Sequence, residues 1–298
     1  MGDSYKAFYW QNRRLELCQR YFAGRKPFNQ NMLARAYMSR GALNDIENDS
    51  LHDFNVCIRI MEKLHEKGQL YDLNNLAKAY MYRGEAYYDM SEFNDCDKSD
   101  EAIHDFDICI QLMKQLKERG ILYDFNALAI AIIHRCRILE NKSKYDEVQH
   151  DYEEAIQIME GLKENGRLYN PDHLADAYLQ RGDELKSLGL FEESLRDYNE
   201  AIRIMEELEG QFQFIEALYW HSLLSKGVLL ADDLHEIDSA LETFNKGVSM
   251  IQTKYSSVSK GLIGLVVKAG IYRPLLAQFI SLRNRLLGID DDNSNQTS

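Results

Sequence analysis

One stretch of seventeen residues is written three times with small changes, and this repetition constrains the fold more than any other feature of the chain. It reads GQLYDLNNLAKAYMYRG from Gly68, GILYDFNALAIAIIHRC from Gly120 and GRLYNPDHLADAYLQRG from Gly166. The anchors Tyr71, Tyr123 and Tyr169 lie 52 and 46 residues apart, and Phe28 opens an earlier copy 43 residues before Tyr71. A second anchor follows in HDFNVCIRIM, HDFDICIQLM, HDYEEAIQIM, RDYNEAIRIM and ETFNKGVSMI. Its aromatics, Phe54, Phe106, Tyr152, Tyr198 and Phe244, are separated by 52, 46, 46 and 46 residues. The period is therefore about 46, and six extra residues near Asn94 to Ser99 make the longer step. A fixed period of this size belongs to a stacked array of small units, each too small to bury its own apolar face.

Each unit reads as two helices. The first is predicted to start after the LYD turn, with Asp72, Asp124 and Asn170 as N-caps, since their side chains accept from the free N–H groups of the first turn. Pro171 follows Asn170 at the first helical position, where a proline is welcome. Tyr71, Tyr123 and Tyr169 precede these caps, and Leu76, Leu128 and Leu174 follow five residues later, the spacing of a hydrophobic staple. Phe28, Asn29 and Leu33 repeat it. The second helix carries Phe54, Cys57, Ile58, Met61 and Leu64 at helical spacing. Gly68, Gly120 and Gly166 suit a left-handed stop, and basic residues before them suit the helix dipole. The 298 residues include only three prolines, which favours long helices.

The chain resembles a tetratricopeptide repeat protein, most clearly in ADAYLQRGDELKSLGLFEESLRDYNEAIRIM. That family places a large aromatic and then a glycine four residues on along the first helix. A small residue, an aromatic and a second small residue follow on the second helix. Tyr178, Gly182, Ser194, Tyr198 and Ala201 fill these places in the fourth unit. Tyr80, Gly84, Ala102, Phe106 and Cys109 fill them in the second, and Tyr37, Gly41, Phe54 and Cys57 in the first. The third unit departs with Ile132 and Cys136, and the fifth carries Leu223, Gly227, Ala240, Phe244 and Gly247. The period of about 46 exceeds the family's usual length, so both helices are expected to be longer. The resemblance covers about residues 28–252 and implies an all-α chain, a right-handed superhelical solenoid of stacked antiparallel helix pairs. It also explains Cys57, Cys109 and Cys136 as small contact residues between helices, where cysteine acts as a small hydrophobe. Cys18 and Cys96 are left without a role.

Other residues recur with the units. Met61, Met113, Met159 and Met205, with Ile251 in the fifth place, continue into Leu64, Leu116, Leu162 and Leu208. A methionine stripe suits a plastic binding surface, but this continuation at helical spacing marks it as core. Arg40, Arg83, Arg135 and Arg181 recur just before the glycine slot, and Asp53, Asp105, Asp151 and Asp197 just before the second-helix aromatic. The fifth unit has Lys226 and Thr243 instead. The two sets rise and fall together, which predicts an Arg–Asp pair joining the helices of units one to four; the alternative is that both are solvated.

Motifs of chemistry are missing. No GxxxxGK[ST], HExxH or GxSxG occurs, and the five cysteines contain no CxxC pair. NDCDKSDEAIHDF has the acidic flavour of a calcium loop but lacks its central glycine and closing glutamate. It reads as a solvated insertion. The net charge of −13 disfavours nucleic acid; it serves solubility or draws a basic partner to a local acidic patch. No signal pattern and no membrane-length apolar run is present, so the expectation is a cytoplasmic chain with no membrane partner. No cofactor and no metal are expected.

Residues 1–27 read as a capping helix of a half unit, 28–252 as five units, 253–288 as apolar capping helices and 289–298 as a disordered acidic tail. The apolar C-terminal segment either folds back on the last unit or meets a partner, including a second copy through residues 259–287. In proteins of the resembled family the first helices line a concave groove that takes a peptide or a helix. Carried onto this chain, that geometry implies Met38, Ser39, Lys78, Met81, Tyr82, Glu85, Ile133, His134, Arg137, Leu179, Gln180 and Asp183 as groove residues. The lysine and asparagine set by which some members hold chaperone C-termini is unmatched, since Met38 and Ala42 stand in two of its places. The expected function is a non-enzymatic scaffold for a protein or peptide partner. The alternatives are self-association through the C-terminal helices, an adaptor switched by a signalling peptide, and an enzyme on a helical scaffold.

Overall fold

A computed structural model describes residues 9, 12–13, 15–17, 20, 27–43, 47–93, 97–144, 148, 151–211, 215–257 and 273–289. The described residues are helices joined by turns, with no strand among them. They fall into two compact units, Met1–Leu168 and Tyr169–Ser298. The first holds α1 (Pro27–Gly41), α2 (Glu47–Glu66), α3 (Leu73–Phe93), α4 (Ser99–Glu118), α5 (Phe125–Asn141) and α6 (Asp151–Glu164). The second holds α7 (Pro171–Ser187), α8 (Phe191–Glu207), α9 (Glu216–Val228), a π-helical turn (Leu229–Asp233), α10 (Ile237–Ser257) and α11 (Arg273–Leu287). Within each unit every helix packs on its chain neighbours, and the pairs α1/α2, α3/α4, α5/α6 and α7/α8 are packed most extensively.

The pairing is driven by the stripe on each second helix. Met61, Met113, Met159, Met205 and Ile251 are all at most 1% exposed, so the stripe is core. The aromatic before it lies on the first helix of its own pair. A Cβ built on Gly84 would sit 3.1 Å from the Phe106 ring, and one on Gly182 would sit 2.7 Å from Tyr198. That contact leaves no room for a side chain in the glycine slot. In the third pair Cys136 takes the slot and Tyr152 stays fully buried, its hydroxyl donating to Glu140 at 3.0 Å. Cys57, Cys109 and Cys136 are fully buried, and burial pushes the Cys57 thiol up to about 12. Cys18 and Cys96 lie outside the described residues.

The predicted Arg–Asp pairs are present in all four copies. Arg40 donates to Asp53 at 2.6 and 2.5 Å, Arg83 to Asp105 at 2.6 and 2.7 Å, and Arg181 to Asp197 at 2.6 and 2.8 Å. Arg135 bonds Asp151 and also Asp107. Each guanidinium rides over a neighbouring tyrosine in three of the copies, as Arg83 does over Tyr80 at 5.4 Å. In the fifth pair Thr243 bonds the Ser239 carbonyl instead, and burial, with the Lys246 charge nearby, lowers the pKa of Lys226.

The helix starts differ in part from expectation. Asp124 caps α5 by accepting from the Ala127 N–H at 3.1 Å, and Asp72 accepts from the Asn74 N–H at 3.0 Å. Asn170 makes no capping bond, and α1 begins at Pro27, which puts Asn29 inside its first turn. The staple does not form: Tyr71, Tyr123 and Tyr169 are 65%, 48% and 62% exposed. The turn is held by another residue. Asn31 donates to the Gln69 carbonyl at 3.0 Å and accepts from the Tyr71 N–H at 3.1 Å. Asn74 does the same to Ile121 and Tyr123, and Asn126 donates to the Arg167 carbonyl. These buried asparagines lock the start of one first helix to the turn before the next. With the polar backbone of the turn satisfied this way, the tyrosine ring is left outside. The stops follow expectation, since Gly68, Gly120 and Gly166 have φ of 64°, 69° and 64° and the Gln69 N–H closes back on the Leu64 carbonyl.

At the ends, Leu15 is buried against Ala36, Leu33 and Tyr37, and most of residues 1–26 lie outside the described residues. α11 packs on α10, with Phe279 fully buried against Gly247 and Arg285 paired to Asp232 at 2.8 Å. The described part of the apolar segment therefore packs on α10. Residues 258–272 and the tail 290–298 lie outside the description.

Candidate binding face

The expected groove residues divide into those that face outward and those that are spent on packing. Met81, Ile133 and Leu179 are 5%, 0% and 0% exposed, so they are core and offer nothing to a partner. Their periodicity on the first helices is shared by core and lining, and the helix pair behind each one claims it. In the second unit Asp183 accepts from the Tyr198 hydroxyl at 2.6 Å, and Gln180 donates to Asp176 at 3.3 Å. Asp183 thus supports its own pair. Met38 and Ser39 on α1 are half-buried.

The remaining residues gather in the first unit on α3 and α5, which touch each other directly. Lys78, Tyr82, Glu85 and Asp89 follow one another along α3 at intervals of four, three and four, which keeps them on one face. Lys78 is paired with Asp124 and its ammonium lies 5.7 Å from the centre of the Tyr123 ring. The Tyr82 ring stacks on Phe54 of α2, with centroids 5.9 Å apart and planes at 25°. From α5, half-buried His134 sits edge-on to Tyr88 at 6.0 Å and against Phe106 at 5.8 Å. Arg137 is half-buried one turn further on.

Glu85 is the exception on this face. Its side chain is half-buried, and among the described residues no donor or cation reaches its carboxylate. Burial, with the Asp89 charge one turn away, pushes its carboxyl up to about 8. The Tyr82 hydroxyl and the Cys109 thiol both lie within its field. The face can therefore hold or release a proton near neutrality and can pair with a charge brought from outside. The sequence analysis named Glu85 and Tyr82 but not Asp89, Tyr88 or the Phe54 backing; the i, i+4 step from Glu85 to Asp89 is a signal the sequence offers.

Elsewhere in this unit an open hollow of about 380 Å³ lies between the end of α4, the start of α5 and α6, floored by Phe125, Ile158 and Leu162. Gly161 stands on its wall inside a helix, where a Cβ would meet nothing. Among the described residues no group of three or more His, Cys, Asp or Glu side chains is placed to hold a metal ion, and no helix is long and apolar enough to cross a membrane.

No family model matches the chain, and no curated protein matches it. Among solved structures it is similar to the crystal structure of BtubC (BKLC) from P. vanneervenii, with a TM-score of 0.63 and 13% sequence identity over 87% of this chain and 94% of that one. An identity this low carries the helical fold and nothing of function.

Proposed function

We propose that the chain is a non-enzymatic binding scaffold of the tetratricopeptide kind, which receives a peptide or helix of a protein partner on the faces of its first helices. The observation that carries this reading is the α3/α5 face. Its aromatic rings are packed from behind, and among the described residues its central carboxylate has no partner of its own. A half-buried surface with a polar group left unpaired is costly for a stability element and suits recognition. The consecutive helix pairs and the likeness to a solved helical protein support the array. A cytoplasmic setting goes with this reading.

The test is affinity capture from the native host's lysate with the intact chain and with a Tyr82→Ala, Arg137→Ala double variant, both checked for unchanged helicity. A partner captured by the intact chain and lost by the variant supports the reading. A partner held equally by both places the working surface elsewhere and removes the α3/α5 face from consideration.

A further inference from the structure

Among the described residues the cations of α3 have internal partners. Lys78 is satisfied by Asp124, Arg83 by Asp105 and Asn55, and Glu62 of α2 accepts from the Tyr80 hydroxyl at 2.5 Å. On α4 the buried Cys109 thiol lies within the field of Glu85, and burial holds it neutral. On α5 the His134 ring lies against Tyr88 and Phe106. Glu85 remains, with Asp89 adding a second negative charge one turn away and the stacked Tyr82 ring beside it. A chain with 48 acidic and 35 basic residues offers no general surplus of cations to fill this place.

We propose that this face takes a lysine or arginine side chain of the partner segment, its charge on the Glu85 carboxylate and its aliphatic stem along the Tyr82 ring; the inference rests on the docking reading above. Three chemical facts favour a cation over other occupants. A charge-assisted hydrogen bond to a half-buried carboxylate is stronger than one in water. An aromatic ring beside it adds cation–π attraction and covers the stem. An acidic or neutral polar side chain would leave Glu85 unpaired or repelled.

The occupant competes with a proton for the same oxygen atoms. Binding should therefore tighten as pH rises toward 8, by up to about tenfold per unit, and level off above it. The probes are acetyl-Ala-Leu-Arg-Leu-Ala-amide and its citrulline counterpart, which has nearly the same shape and no charge. The full chain is labelled with 13C at glutamate side-chain carboxyls, and Glu85→Gln identifies the Glu85 signal. The expected result is that the arginine peptide moves the Glu85 signal and lowers its titration midpoint, and binds about tenfold or more tighter than the citrulline peptide at pH 8. The preference should vanish in Glu85→Gln. Equal binding of both peptides on the α3 face overturns the cation and leaves the docking reading standing. Failure of the arginine peptide to move the Glu85 signal at millimolar concentration also overturns it. Loss of the docking reading itself is seen separately, in the capture experiment with the Tyr82 and Arg137 double variant.

Discussion

Glu85 carries its consequences at the scale of one carboxyl group. In the unfolded chain it titrates like any glutamate, near 4.5, and in the folded chain it holds its proton to about 8. Between those values the folded state binds the extra proton, so stability falls as pH rises through this window. It falls by up to about 1.4 kcal/mol per unit and levels off above the folded value. Glu85→Gln removes that term and leaves every other titration in place. Urea midpoints of the two proteins are expected to converge near pH 4.5 and separate in favour of the variant up to about pH 8, by a few kcal/mol in all. Parallel curves would mean that Glu85 ionises as an exposed glutamate does. The Arg–Asp pairs behave differently, because each acid faces a fixed fork of donors. Removing one partner strands the other in a half-buried site, whereas replacing both by apolar residues costs little.

Between elements, the buried asparagines do what the tyrosines were expected to do. Asn31, near the start of α1, ties that helix to the turn before α3 through one donated and one accepted hydrogen bond. Asn31→Ala leaves a carbonyl and an N–H without partners in a buried place, at a cost of about 2 kcal/mol. Asn31→Asp keeps the acceptor, loses the donor and sets two oxygens facing each other, so thermal melts should show it no more stable than the alanine variant. These elements also show what could be read from sequence and what could not. The Arg–Asp pairs were legible because the chain holds several copies of itself, and the fifth copy lost both partners together. The asparagine slot stood in the same copies but sat in the first turn of a helix, where asparagine reads as local capping. Its real partners lie about 40 residues on, at the next turn. Tyr71 and Tyr123 misled for the converse reason, since an aromatic before a cap reads as a staple whether its ring is tucked in or left out. On the candidate face, the resemblance named Tyr82 and Glu85 together with Met81 and Ile133 and could not tell the half-buried pair from the buried one. A first helix packed on both sides has little free surface, and only packing shows which residues keep it.

Taken whole, the molecule is built from contacts between neighbours in sequence, and this governs how it comes apart. Within the first unit α3 and α4 are flanked by α2 on one side and α5 on the other, and their stripe residues are sealed from both directions. At the end of the second unit α11 packs on α10 through Phe279, whose ring meets Phe244 edge-on, and pairs a half-exposed Arg285 with Asp232 of the π-helical turn. Such a pair contributes under about 1 kcal/mol, and Phe279 is the one large apolar side chain of α11 that is fully buried among the described residues. In an array of this kind the stability of an element is its own contribution plus that of its interfaces, and an end element has one interface fewer. Native-state hydrogen exchange should therefore give a graded pattern. Amides of α3 and α4 are expected to open only with free energies near the global value, and those of α11 to open at least about 2 kcal/mol more easily. Phe279→Ala should lower the α11 values further and leave α3 and α4 unchanged, because the loss stays within the interface that it removes. If α11 and α3 instead exchanged at one common free energy, and both fell together in the variant, the chain would unfold as a single cooperative body, and nearest-neighbour stacking would not describe it.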